Sequence, residues 1–177
     1  LGAALVPVDS PDEADLVFIN TCAFIQPATE ESVRTIAQAI ADIEELPKRP
    51  LLAVAGCLVG RYHAEDLAPE LPEVDLWLDN SDLEAWPAML ARKLGLPEPT
   101  VPGRILSTGP SYAWLKISDG CRHACSFCAI PNIRGGHRSH CKDMIVREAR
   151  ALLDQGVKEL NLVAQDLTEW GCDLDGK

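Results

Sequence analysis

LLAVAGC, residues 51–57, is an unbroken apolar run closed by a glycine and a cysteine. A run this short, bounded by Pro50 and Gly56, reads as a strand rather than a helix. The same design occurs on either side of it. Upstream, DLVFIN (15–20) ends in polar Asn20 and Thr21 before Cys22; downstream, VDLWLD (74–79) makes a third strand. Helix signals separate them. Val33, Ile36, Ile40 and Ile43 recur at spacings of three and four within residues 28–46, an amphipathic helix that Pro47 and Pro50 stop. A short helix fits residues 63–68, ahead of Pro69 and Pro72. SDLEAWPAMLARKLG (81–95) predicts another, with Ser81 as its N-cap, Gly95 as its stop and Pro87 as an interruption. Strand–helix units in this order predict an α/β fold, a parallel sheet covered by helices.

Ligands of such sheets gather at the carboxyl ends of the strands. Cys22 and Cys57 each follow a strand directly and are candidate co-ligands of one metal centre. The competing reading is two unrelated core cysteines.

Residues 95–111, GLPEPTVPGRILSTGPS, are rich in proline and glycine and read as a linker. The pattern then restarts. YAWLKIS (112–118) alternates like a strand. Asp143 can cap a helix running through Gln155, with Ile145, Ala149 and Leu152 on one face and Gly156 at its end. VKELNLVAQD (157–166) is the next strand. This is a βαβ unit, as at the start of a barrel, and two strands cannot close one. Further strands are expected downstream, which makes residues 112–177 a truncated domain and residues 1–94 a separate one.

Composition narrows the function classes. The apolar runs fall short of the roughly 20 residues that span a bilayer. The chain opens on Leu1 with no basic stretch and apolar core of a secretion signal, so a cytoplasmic protein read from mid-sequence is expected. A net charge of -11 suits a basic partner better than a phosphate backbone. Seven cysteines, an odd count, point to metal or redox chemistry rather than a disulfide framework. Cys141 and Cys172 read as small buried hydrophobes.

Three of the seven crowd one loop: CRHACSFC holds Cys121, Cys125 and Cys128, directly after the strand at 112–118. Thiolates select zinc, copper(I) or iron–sulfur clusters. A structural zinc site wants a closed tetrahedron. Its fourth ligand here would have to be His123, His137, His140 or Cys141, and the histidines read as loop or surface residues. A loop of three cysteines can instead hold three irons of a four-iron cluster and leave the fourth iron to a substrate or cofactor. The zinc reading makes the chain a non-catalytic, metal-stabilised binding module; the cluster reading makes it an enzyme.

CRHACSFC, with Phe127 before its last cysteine, resembles the signature of the radical S-adenosylmethionine enzymes. More narrowly, NTCAFI (20–25), AGCL (55–58), WLKISDGC (114–121) and FCAIPNIRG (127–135) resemble the methylthiotransferase family. VKELNLVAQDLTEWG (157–171) is most similar to the branch that modifies ribosomal protein S-twelve. The resemblance implies an N-terminal methylthiotransferase domain over residues 1–94, lacking its first unit, and the start of a radical S-adenosylmethionine core over 112–177. It implies two 4Fe–4S clusters. Cys121, Cys125 and Cys128 would bind the first, together with S-adenosylmethionine, whose contacts would include Phe127 and Gln165. Cys22 and Cys57 would bind the auxiliary cluster, with a third cysteine expected upstream of Leu1. It further implies an electron donor, and methylthiolation of the β-carbon of an aspartate. That carbon is not acidic enough for a side-chain base, hence radical chemistry. The alternative substrate within the family is a tRNA adenosine; Gln165–Asp166, where tRNA-modifying relatives more often show Gln-Asn, and the acidic balance both favour the protein. Ser139, His140 and Cys141 stand where the family commonly reads Ser-Arg-Pro. The segment alone is expected to be inactive.

Overall fold

The computed structural model describes residues 5–97, 104, 106 and 109–174. It divides into two compact units, Leu1–Arg104 and Ile105–Lys177. Most of the expected linker at 95–111 lies outside the described residues. No described helix is long and apolar enough to cross a membrane.

The first unit is a parallel sheet in the order β1-β2-β3. Its strands are β1 (Leu16–Thr21), β2 (Leu51–Gly56) and β3 (Leu76–Leu78). The helices are α1 (Gln26–Glu44), α2 (Cys57–Tyr62), α3 (Ala64–Leu67) and α4 (Trp86–Leu94). The apolar run of β2 is continuous because both of its faces are covered, as parallel sheets require. Leu52 and Val54 pack with Ile36 and Ile43 of α1 and with Leu58 and Val59 of α2. Ala53 and Ala55 face the other way, toward Leu78 and Leu90. Burying each such leucine or valine contributes about 1.5–3 kcal/mol, so β2 is the energetic centre of the unit.

Local differences from the sequence reading have physical causes. The buried face of α1 is Thr29, Ser32, Ile36 and Ile43, while Val33 is 43% exposed. Ser32 belongs inside because its hydroxyl is bonded to the backbone of Cys22, which apolar periodicity cannot register. The helix expected at 63–68 is the shorter α3, preceded by α2, which starts at Cys57 with no intervening loop. Ser81 is not an N-cap. Its N–H donates to Asp79 Oδ1 at 2.7 Å in a 3₁₀ turn, and α4 begins at Trp86 with Pro87 in its first turn, where proline is tolerated. Gly95 does end α4, at φ 68°.

In the second unit β4 (Tyr112–Lys116) and β7 (Glu159–Val163) pair in parallel across α6 (Lys142–Asp154). Ala113, Leu115, Leu152 and Val157 form its core, with Ile145 and Ala149 against them, so the predicted face of α6 is the buried one. Cys141, not Asp143, occupies the N-cap position; Asp143 sits in the first turn. The strand expected to run through Ser118 stops at Lys116. Ser118–Asp119 (β5) instead pairs antiparallel with Arg138–Ser139 (β6), after the short helix α5 (Ile130–Arg134).

Candidate metal centres

β1 and β2 stay in register from Leu16↔Leu51 to Thr21↔Gly56. Cys22 and Cys57 are the next residue on each strand, so the sheet brings both to one carboxyl edge. Cys22 is exposed and Cys57 half-buried, which fits ligands better than core filling. The edge is held by polar bonds. Thr21 Oγ1 donates to Ala55 O at 2.6 Å and accepts from Leu58 N at 3.2 Å. Ser32 Oγ donates to Cys22 O at 2.8 Å and accepts Cys22 N–H at 3.1 Å, and Arg61 Nη1 donates to Ala23 O at 2.7 Å. Thr21→Val keeps the shape but removes the hydroxyl that accepts from Leu58 N–H and donates to Ala55 O. Its expected cost is about 1–3 kcal/mol, read from the midpoint shift in urea unfolding.

The second set lies past β5. Gly120, at φ 69°, turns the chain against the carbonyls of Gly135 and Gly136, leaving no room for a Cβ. Cys121 N–H then donates to Gly135 O at 3.2 Å, and Cys128 N–H to Cys125 O at 3.1 Å. These bonds shape a loop with Cys125 exposed and Cys121 and Cys128 half-buried. Phe127 is 91% exposed and Gln165 is exposed, two residues beyond β7. No disulfide forms among the seven cysteines.

Charged residues that periodicity overlooked hold this loop. Asp119 is buried beside Lys116 Nζ at 2.5 Å and Arg134 Nη1 at 3.7 Å. Arg122 pairs with Glu169, and His123 Nε2 lies 3.1 Å from Asp166 Oδ2. Exposed pairs of this kind contribute at most about 1 kcal/mol each; their effect is to fasten the loop to the segment following β7. The available signal was positional: Asp166 and Glu169 follow the carboxyl end of a strand, where such sheets gather function.

One expectation fails here. Cys141 is exposed and Cys172 half-buried, so neither is a buried hydrophobe: one starts a helix and the other lies in a turn. His137 lies in the loop before β6, as expected of the histidines, though its side chain is only 2% exposed. The proposed zinc partners do not join the cysteine loop. Among the described residues, two sets of three donor atoms lie within 4.8 Å of one another, His137–Cys172–Asp173 and His123–Asp166–Glu169, and neither contains a loop cysteine.

The carboxylates set an acid limit. Hydrogen bonds from the Thr168 hydroxyl foremost, and then from its N–H and from His123, hold Asp166 below the usual carboxylate range against an opposing push from burial. Ser139, through its hydroxyl and then its N–H, does the same for Asp173. A carboxylate whose pKa is depressed by folding adds stability above its unfolded pKa, and that stability is lost as pH falls through the folded value. The second unit is therefore expected to loosen only below the ordinary carboxylate range, near pH ~4 and under. Trp170, whose Nε1 donates to His140 O, reports the change by fluorescence. In Asp166→Asn the acid transition should shrink and stability at neutral pH should fall.

Residues 2–79 match the sequence profile described as Uncharacterized protein family UPF0004. Over 98% of its length the chain is 67% identical to a protein of Nitratidesulfovibrio vulgaris named "Ribosomal protein uS12 methylthiotransferase RimO", covering 40% of it. Identity is 61% to the protein of that name in Oleidesulfovibrio alaskensis, again covering 40%, and 47% to that in Aquifex aeolicus, covering 38%. The chain thus spans about two-fifths of the length of the curated relatives it matches. Over nearly its whole length, then, the chain is similar to a stretch making up about two-fifths of proteins named methylthiotransferases.

Proposed function

We propose that the protein carrying this chain is a radical S-adenosylmethionine methylthiotransferase that modifies the β-carbon of an aspartate in ribosomal protein S-twelve, in the cytoplasm. The observation that supports it most is the loop of three thiols, Cys121, Cys125 and Cys128, past the carboxyl end of the parallel β4–β7 pair. The donor set fits a four-iron cluster. The three thiols form no disulfide and are partly accessible, and among the described residues they are not drawn together, with or without a fourth donor, as closely as a single small ion would require. Cys22 and Cys57, at the edge of the first sheet, would serve an auxiliary cluster.

When bound, the loop cluster and S-adenosylmethionine would supply the one-electron chemistry that removes hydrogen from an unactivated carbon. The chain's own residues have narrower tasks. Cys121, Cys125 and Cys128 bind. Gly120 and Gly135 shape the loop, and Arg122 and His123 fasten it to Glu169 and Asp166. Phe127 and Gln165, both exposed near the loop in sequence or at the same sheet end, would contact S-adenosylmethionine. The relatives' name and the net charge of -11 favour a basic ribosomal protein over tRNA as the substrate.

Anaerobic reconstitution with iron and sulfide tests the cluster. A brown protein with broad visible absorption that changes on adding S-adenosylmethionine supports the proposal; stoichiometric zinc without that absorption overturns it. The substrate is tested by mass spectrometry of protein S-twelve from cells lacking the gene. Persistence of the methylthio group there would exclude this substrate and leave tRNA adenosine as the alternative.

A further inference from the structure

We propose that His137, Cys172 and Asp173 form a mononuclear zinc site, separate from both cysteine sets above. The three come from two segments of the second unit: His137 precedes β6, and Cys172 and Asp173 lie in the turn after β7. Their donor atoms all lie within 4.8 Å of one another. His137 Nε2 stands 3.6 Å from Asp173 Oδ1. That is too long for a hydrogen bond.

A second observation is independent of that spacing. The His137 side chain is 98% buried by the same measure that leaves it 2% exposed, and its Nδ1 is buried with no hydrogen-bond partner. Buried imidazole nitrogens are nearly always satisfied, and an exception calls for an ion or a water.

The frame is fixed without any metal. Ser139 N–H donates to Asp173 Oδ2 at 2.8 Å, which leaves Oδ1 turned toward the histidine. Gly171 N–H donates to Ser139 Oγ at 2.8 Å, and Cys172 N–H to Glu169 O at 3.1 Å. Ser139 Oγ lies 3.1 Å from His137 Nε2 and orients the ring, so Nδ1 is the nitrogen left without a partner and the one that would bind the ion. One nitrogen, one sulfur and one carboxylate oxygen suit zinc; calcium and magnesium take oxygen alone. Binding sends the Cys172 thiol proton to solvent, leaves the carboxylate and the neutral imidazole as they are, and transfers no electron. The other donor set, His123–Asp166–Glu169, is not offered as a site, since the Arg122 guanidinium already pairs with Glu169.

Cadmium NMR of the 177-residue chain loaded with cadmium tests the site, because the shift reports how many thiolates bind each ion. The expected result is a resonance typical of one thiolate with nitrogen and oxygen donors. It should be present in Cys125→Ala and lost in both Cys172→Ala and His137→Leu. Zinc bound per chain, titrated against a chromophoric chelator, should fall by one equivalent in Cys172→Ala with the circular dichroism unchanged. Absence of a one-thiolate resonance, or its survival in Cys172→Ala, overturns the site. Should His137→Leu fail to fold, Asp173→Asn takes its place, with at least a tenfold loss of zinc affinity expected and unchanged affinity counting against the site.

Discussion

On the proposed cluster assignment, Cys125→Ala should leave the fold standing and lose the iron of the second unit. Cys125 is exposed, and the bond it contributes to the loop is its backbone carbonyl, which accepts Cys128 N–H and survives the substitution. No core contact is lost, so urea unfolding should be unchanged within about 0.5 kcal/mol, the range of an ordinary surface substitution. After reconstitution the variant should carry about one cluster's iron fewer than the parent. In the longer protein, cleavage of S-adenosylmethionine should fall on the order of 10³-fold or more, since a ligand to the reacting centre is removed rather than tuned. Cys57→Ala supplies the contrast. It should leave that cleavage within about tenfold of the parent while methylthiolation is lost. Loss of both activities in Cys57→Ala would show that the two cysteine sets do not serve separate centres.

Gly56→Ala should cost the first unit most of its stability. Gly56 has φ 104°, a conformation that side-chain-bearing residues rarely adopt, and its Cβ would run into the backbone of Thr21, 2.7 Å from its nitrogen and nearer still to its oxygen. Asn20 Oδ1 would lie 2.7 Å away. Strained backbone of this kind costs about 1–3 kcal/mol, and overpacking adds about as much again. Against a total of roughly 5–15 kcal/mol for a domain, the sum is decisive. Neighbouring strand backbone cannot swing aside as the end of a lysine would. The measurement is amide hydrogen exchange, in which β1 and β2 should lose protection together. Native protection in Gly56→Ala would mean that the strand-to-helix turn can be made another way.

The order of the main elements was legible because the strands of the first sheet are largely apolar, YAWLKIS alternates, and the longer helices keep their own period. β2 shows why: a run such as LLAVA has one good home, a strand covered on both sides. What escaped was polar. Ser32 sits in the buried face of α1 for the sake of the Cys22 backbone, and Asp79 displaces Ser81 as the local cap, because hydrogen bonds across a loop leave no periodic trace. The cysteine positions could be read from spacing and strand ends. The clamp of Arg122 and His123 on Glu169 and Asp166 joins residues more than forty apart, so pattern along the chain could not pair them. His137, Cys172 and Asp173 met the same obstacle: each looks ordinary in sequence, and only the pairing of β6 with the turn after β7 brings them together.

The strand order β1-β2-β3 places each strand beside the one made just before it. Each parallel pairing needs only the crossover between successive strands, and contacts that are nearer in sequence form earlier than distant ones. Synthesis runs from the N-terminus, and N-terminal domains fold first. The edge bearing Cys22 and Cys57 is complete once α2 has emerged at Tyr62, while Cys121 has yet to be translated. The two thiol sets therefore come into being one after the other during synthesis, the first before the second exists.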